Sequence, residues 1–155
     1  MASNRSVAVS RVIPAPPEAI FDVLADPARH PEIDGSGTVR KFRGGSQRLT
    51  QGATFGMDMH MGLPYRMTNT VVEFEEGRRI AWQHFGGHRW RYQLEPTEGG
   101  TAVTETFDWS TSRAPWFIEL MGYPKRHPDA MRQTLERLEQ VVTGTDGPGG
   151  GTTTS

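Results

Sequence analysis

Between Thr101 and Ser110 the chain alternates. Val103, Phe107 and Trp109 are apolar, and Thr104, Thr106 and Asp108 are polar, the period of two expected of a strand with one face on a core. Glu105 breaks the alternation. It falls on the apolar side, where an ionised carboxylate without a partner is costly. Either the strand is irregular at this point or Glu105 reaches into a polar, hollow interior.

The same period recurs along the chain. Ser6 to Ile13 reads as a first strand with Val7, Val9 and Ile13 on one side, although Arg11 shares that side. Thr38 to Phe42 is a weak strand. Ala53 to Met61 places Phe55, Met57, Met59 and Met61 on one face and Thr54, Gly56, Asp58 and His60 on the other. Tyr65 to Phe74, Arg79 to His84 and His88 to Leu94 follow, punctuated by Gly62, Gly77, Gly86-Gly87 and Gly99-Gly100 at hairpin spacing. This is an antiparallel meander.

Helical spacing appears in three places. After Pro14, Pro16 and Pro17, the residues Ile20, Phe21, Val23 and Leu24 form one stripe of a short helix that Asp26-Pro27 stops. A second short turn, Ala28 to Glu32, precedes the Asp34-Gly35-Ser36-Gly37 corner. Ser112 to Gly122 holds another short helix. Pro128 is suited to opening a final helix, on which Met131, Leu135, Leu138 and Val142 share a face before Gly144 ends it.

Residues paired across antiparallel strands face the same side, so apolar faces must coincide across each hairpin. A three-residue loop after Met61 puts Met59 opposite Met67 and Met57 opposite Asn69. A two-residue turn at Glu76-Gly77 sets Val71 against Trp82, and a three-residue loop from Phe85 sets Trp82 against Trp90. An even loop around Pro96 to Gly99 places Tyr92 beside Glu105. Three rows then cross the inner face: Phe55, Val71, Trp82, Trp90 and Phe107; Met57, Asn69, His84, His88 and Trp109; Ala53, Glu73, Ile80, Tyr92 and Glu105.

Composition narrows the function classes. Seventeen basic and eighteen acidic residues leave a formal net charge of −1. With no Lys/Arg run, nothing marks a nucleic-acid footprint or a polybasic membrane patch. Cysteine is absent, which removes disulfides, thiol nucleophiles and thiolate metal sites and is compatible with a reducing cytosol. No apolar run approaches about 18 residues, and no signal-peptide core is present. The expectation is one soluble, cytoplasmic domain over residues 1–143 with a mobile Gly/Thr-rich tail at 144–155, either monomeric or homodimeric.

The N-terminal SVAVSRVIPAPPEAIFDVLADPARHPEIDGSGTV, the later GRRIAWQ, the meander ending GTAVTETFDW and the C-terminal amphipathic helix resemble the SRPBCC superfamily, the START-like proteins with the birch-pollen-allergen fold. The resemblance covers about residues 6 to 143. It implies an α+β helix-grip fold, in which a curved seven-stranded antiparallel sheet wraps a long C-terminal helix and leaves a cavity. It also implies one of three functions: carriage of a small hydrophobic ligand, polyketide cyclase or dehydratase chemistry in the same cavity, or an interaction module similar to activators of a heat-shock chaperone ATPase. No cofactor is implied. The superfamily has no shared catalytic set, and fold does not give function. Where many relatives have a Trp after the second short helix, this chain has Glu32-Ile33-Asp34.

Candidate residues carry two readings each. Met57, Met59, Met61, Met67, Met121 and Met131, with Leu135, line an adaptable pocket or fill a core. Trp82, Trp90, Tyr92, Phe107 and Trp109 stack on a planar ligand or on one another. Glu105 with Tyr92 is the candidate polar anchor or acid/base pair; the alternative is a structural hydrogen bond to Tyr92 or Arg11. Asn69, His84 and His88 form a second polar group, with His84 a candidate base near neutral pH or a hydrated rim residue. Asp58 and His60 are too few for a tight metal site. The Asp34 corner lacks the spacing of a phosphate loop.

Overall fold

The computed structural model describes residues 5–34, 39–43, 48–61, 63–83, 87–120 and 123–144. It is an α+β chain. Strand β1 (Ser6–Ile13) leads into helix α1 (Pro17–Leu24), a 3-10 turn (Pro27–Arg29) and helix α2 (His30–Ile33). Strands β2 (Val39–Arg43), β3 (Thr54–Met61), β4 (Leu63–Glu75), β5 (Arg79–Gln83), β6 (Arg89–Thr97) and β7 (Gly100–Asp108) precede helices α3 (Pro115–Leu120) and α4 (Tyr123–Thr143). All strand pairs are antiparallel, in the order β1-β7-β6-β5-β4-β3-β2. Consecutive hairpins give this order, and β1 closes onto the far side of β7.

Local chemistry accounts for the helices. Pro17 sits in the first turn of α1 and Glu18 near its positive end, while Ile20, Phe21, Val23 and Leu24 are buried. The Asp26 side chain accepts the Ala28 N–H at 3.1 Å and caps the 3-10 turn. Helix α4 buries Met131, Thr134, Leu135 and Leu138, and ends where the Gly144 N–H reaches the Gln140 carbonyl at 2.9 Å with φ at +72°. It begins at Tyr123, earlier than the sequence suggests, so Pro128 lies inside the helix. One core joins α1, α4 and the inner sheet face through Val9, Ile13, Phe21, Phe55, Ile80, Phe107 and Leu138.

Hairpin parity holds on β5, β6 and β7. Trp82 pairs with Trp90, Trp90 with Phe107 and Tyr92 with Glu105. Three assignments change elsewhere. Met57 pairs with Met67, Phe55 with Asn69 and Met59 with Tyr65, a slide of two residues from the expected β3-β4 register. Strand pairing runs out to Met61 and Leu63, so the connection is shorter than a three-residue loop, and an even slide leaves the faces unchanged.

The second change concerns Glu73. Glu75 pairs with Arg79, which leaves three residues in that turn, and a bulge between Val71 and Glu73 absorbs the extra one. Val71 therefore still meets Trp82, but Phe74 opposes Ile80 on the inner face, and Glu73 turns outward to Arg89 at 2.8 Å and Arg91 at 2.8 Å. The bulge replaces a carboxylate in the core by a phenyl ring. The third change follows from the first: Val71 bonds through its backbone N–H to Ala53, so Phe55 is not its partner.

Candidate functional site

The inner face of β5, β6 and β7 carries a tract of aromatic rings. Strand alternation puts Trp90 and Tyr92 on the same side of β6, where cross-strand pairing brings Trp82 and Phe107 against them. Trp82 lies 5.6 Å from Tyr92 and 5.6 Å from Phe55, Trp90 lies 4.7 Å from Phe107, and Phe107 stacks on Trp109 at 5.5 Å. Met57 is buried near Phe55, and Met67 is partly buried opposite it. From the other side α4 contributes Met131 and Leu135, each 1 % exposed. Asn69 is buried opposite Phe55.

Glu105 and Tyr92 bring an acid and a phenol into this tract. They are 3 % and 4 % exposed, and their side chains are hydrogen-bonded to each other. Burial pushes the Glu105 carboxyl well above the usual carboxylate range, the Tyr92 hydrogen bond opposes that shift, and the nearby Asp34 adds to it. Burial likewise raises the Tyr92 phenol, with Glu105 and Asp34 adding to the effect. Both groups are therefore held towards their protonated forms. The Oε1 atom of Glu105 is buried and has no hydrogen-bond partner among the described residues.

Arg11 is not that partner. It stands opposite Val103 on β1, while Val9 stands opposite Glu105, and its guanidinium Nε donates to Glu139 Oε1 of α4 at 2.8 Å. The helix offers a carboxylate outside the sheet, so the arginine stays near solvent and leaves Glu105 to Tyr92. An open groove of about 340 Å³ runs between β1 and α4, lined by Val9, Arg11, Arg132, Leu135 and Glu136. Val9 and Leu135 thus connect the groove to the layer that holds the acid-phenol pair.

His30 is a site residue that sequence reasoning missed. Helix α2 buries it at 6 % exposure, its Nε2–H donates to the Leu24 carbonyl at 2.8 Å, and its ring stacks on Trp82 at 4.7 Å. Desolvation lowers its pKa to about 4, against the carbonyl, Asp26 and Asp34, so the ring is neutral at pH 7. The available signal was its position three residues before the buried Ile33, which puts both on one face of a helical turn.

At the far end of the tract, His88 contacts Phe107 edge-on at 5.3 Å, and His127 of α4 contacts Phe107 at 4.5 Å and Trp90 at 5.0 Å. The Trp109 indole donates to Glu119 Oε2 at 3.1 Å. His127 is not among the expected residues, because a helix opened by Pro128 would leave it in the preceding loop, whereas the helix begins at Tyr123. His84, Met121, the Gly35 to Gly37 corner and the tail from 145 onward lie outside the described residues, as do the side chains of Met59, His60 and Met61. Among the described residues no group of three or more His, Asp or Glu side chains is placed to hold a metal ion.

Residues 4–143 match the family model described as polyketide cyclase / dehydrase and lipid transport. An uncharacterized protein of Mycobacterium tuberculosis strain H37Rv is 39 % identical over 143 residues, covering 87 % of this chain and 61 % of that protein. The chain thus spans less than two thirds of the length of that relative. Among solved structures, a Rhodobacter sphaeroides protein superposes with a TM-score of 0.69 at 19 % identity, covering 94 % of this chain and 96 % of that one. The AHSA1-like protein of Aeromonas hydrophila does so with a TM-score of 0.66 at 21 % identity, covering 90 % and 92 %. At these identities the two structures are similar in fold.

Proposed function

Because the chain belongs to the polyketide cyclase / dehydrase and lipid transport family, a group of the SRPBCC type, we propose that it binds a small hydrophobic molecule between the sheet and α4. The observation that carries this reading is Glu105. A carboxyl held towards its protonated form, with one oxygen unpaired among the described residues and buried beside a phenol under a tract of aromatic rings, is an expensive arrangement for a core with no other task. A bound molecule with a carbonyl or hydroxyl group satisfies that oxygen. Trp82, Trp90 and Phe107 would face its apolar body, and Met57, Met67, Met131 and Leu135 would adapt to its outline.

Native mass spectrometry of the purified protein tests this directly, followed by titration of tryptophan fluorescence with lipids and polycyclic aromatic polyketides. A retained mass or saturable quenching is the expected result. The reading fails if neither appears across the whole panel. A second reading is favoured by the same pair: a protonated acid beside a phenol is the arrangement needed for general acid catalysis of a cyclisation or dehydration. In that case Glu105→Gln abolishes turnover while ligand affinity stays within a few fold.

A further inference from the structure

We propose that this chain forms a two-fold homodimer in which the open edge of β1 pairs antiparallel with the same edge of a second copy, joining the two sheets into one. A second copy is the occupant that fits, because the groove beside this edge is complementary to itself.

Strand β1 ends the sheet. The Trp109 N–H reaches the Arg5 carbonyl at 2.9 Å, and the register from Ser6-Asp108 to Ile13-Thr101 runs on from it without a shift. Alternation along an antiparallel ladder then turns the N–H and C=O groups of Val7, Val9 and Arg11 towards β7, and those of Ser6, Ala8, Ser10 and Val12 towards the open edge. Those four residues are exposed, Val12 to 53 % although it is apolar. The opposite edge is guarded. Strand β2 reads VRKFR, with a lysine, two arginines and a register shift between Val39 and Lys41, devices that keep an edge from pairing. Strand β1 reads SVAVSRVI, with no proline, lysine or register shift, and its Arg11 is drawn to Glu139 of α4.

Helix α4 supplies the selectivity. The groove of about 340 Å³ along Ala8 to Arg11 has Arg132 and Glu136 on its other wall, one helical turn apart. A two-fold axis through the paired edges runs α4 antiparallel to its copy, so Arg132 meets the partner's Glu136 and Glu136 meets the partner's Arg132. An unrelated strand would have to bring both charges at that spacing. The ion pair of Arg132 with Asp129, at 2.9 Å between side chains 62 % and 87 % exposed, is a weak surface contact that yields to the new one. Pairing also covers the groove, whose Val9 stands opposite Glu105.

Sedimentation velocity of the full chain from about 1 to 500 µM is expected to show a reversible monomer-dimer equilibrium. Hydrogen exchange at the Ala8, Ser10 and Val12 amides is expected to slow as concentration rises. Ala8→Pro removes an N–H that points away from β7, so it spares the β1-β7 ladder and is expected to weaken the dimer at least about tenfold. Arg132→Glu and Glu136→Arg each set like charges against one another across the axis and are expected to weaken it by about the same factor. An equimolar mixture of these two variants restores both ion pairs and is expected to dimerise as the wild type does, which excludes misfolding as the cause of their loss. Where Ala8→Pro fails to fold, the mixture decides. A chain that is monomeric throughout overturns the inference and leaves the edge to another occupant. A dimer that a folded Ala8→Pro variant leaves intact, or a mixture no more dimeric than its components, overturns it as well.

Discussion

Acid should unfold this protein through His30. The ring is buried, stacked on Trp82 and hydrogen-bonded to Leu24, and its pKa falls from 6.5 to about 4. Below pH 6.5 the unfolded chain takes up a proton at this position and the folded chain does not. The stability due to the neutral ring is thus fully present above 6.5 and is lost as pH falls towards 4. At about 1.4 kcal/mol per pH unit the loss over that window is about 3 kcal/mol. In a chain of 155 residues this lowers Tm by roughly 6–12 °C. Glu105 titrates with the opposite sign over part of the range, so the quantity to follow is the difference between wild type and His30→Gln at each pH. The variant keeps a donor for Leu24 and loses the stack, which shifts its stability by a constant. Urea denaturation from pH 7 to pH 4 is expected to show the wild type losing about 3 kcal/mol relative to the variant. A difference that stays flat across this window, or an NMR titration placing His30 near 6.5, would refute the reasoning.

Other outcomes follow from the same structure. Glu105→Gln removes a carboxyl whose pKa burial has raised, so its effect runs the other way: relative to the variant, the wild type loses stability as pH rises above about 4.5, by up to about 1.4 kcal/mol per unit, read by thermal melts from pH 4.5 to 8. Glu73 is drawn down to about 2 chiefly by its hydrogen bond to Arg91, so its contribution is present above about 4.5 and fades as pH falls towards 2. Solvent screening reduces that contribution, and Glu73→Gln, which leaves Arg89 and Arg91 side by side, is expected to cost about 1–2 kcal/mol at pH 7 and nothing near pH 2. Gly100 adopts φ of +143°, and a Cβ there would run into the Ile13 carbonyl and Pro14 backbone, so Gly100→Ala is expected to cost more than about 2 kcal/mol in urea denaturation. Gly99→Ala, with open space around the same turn, separates strain at φ of +92° from that clash and should cost less.

Much of the site was legible because strand chemistry is local. The period of two assigned Val103, Glu105 and Phe107 to one face, and matching apolar faces across hairpins paired Tyr92 with Glu105 and Trp90 with Phe107. Those inferences need only that one side of a sheet be buried. The β3-β4 register slipped because a slide of two residues keeps every face in place, so the hydrophobic pattern cannot distinguish the two registers. Glu73 was misplaced for a different reason. A bulge is a local choice that becomes favourable only when Arg89 and Arg91 from the next hairpin strand stand ready on the outer face.

Sequence by itself determined the α+β meander, the faces of its central strands and the burial of an acid beside a phenol, since all of these follow from alternation along the chain and parity across short turns. Only the tertiary structure decided what surrounds that acid. Helix α4 takes Arg11 through Glu139, α2 brings His30 onto Trp82 and Asp34 towards the pair, and no short-range pattern encodes contacts between residues so far apart in the chain. Glu105 is held towards its protonated form for that reason: its strand set its place, and burial together with the nearby Asp34 opposes its ionisation.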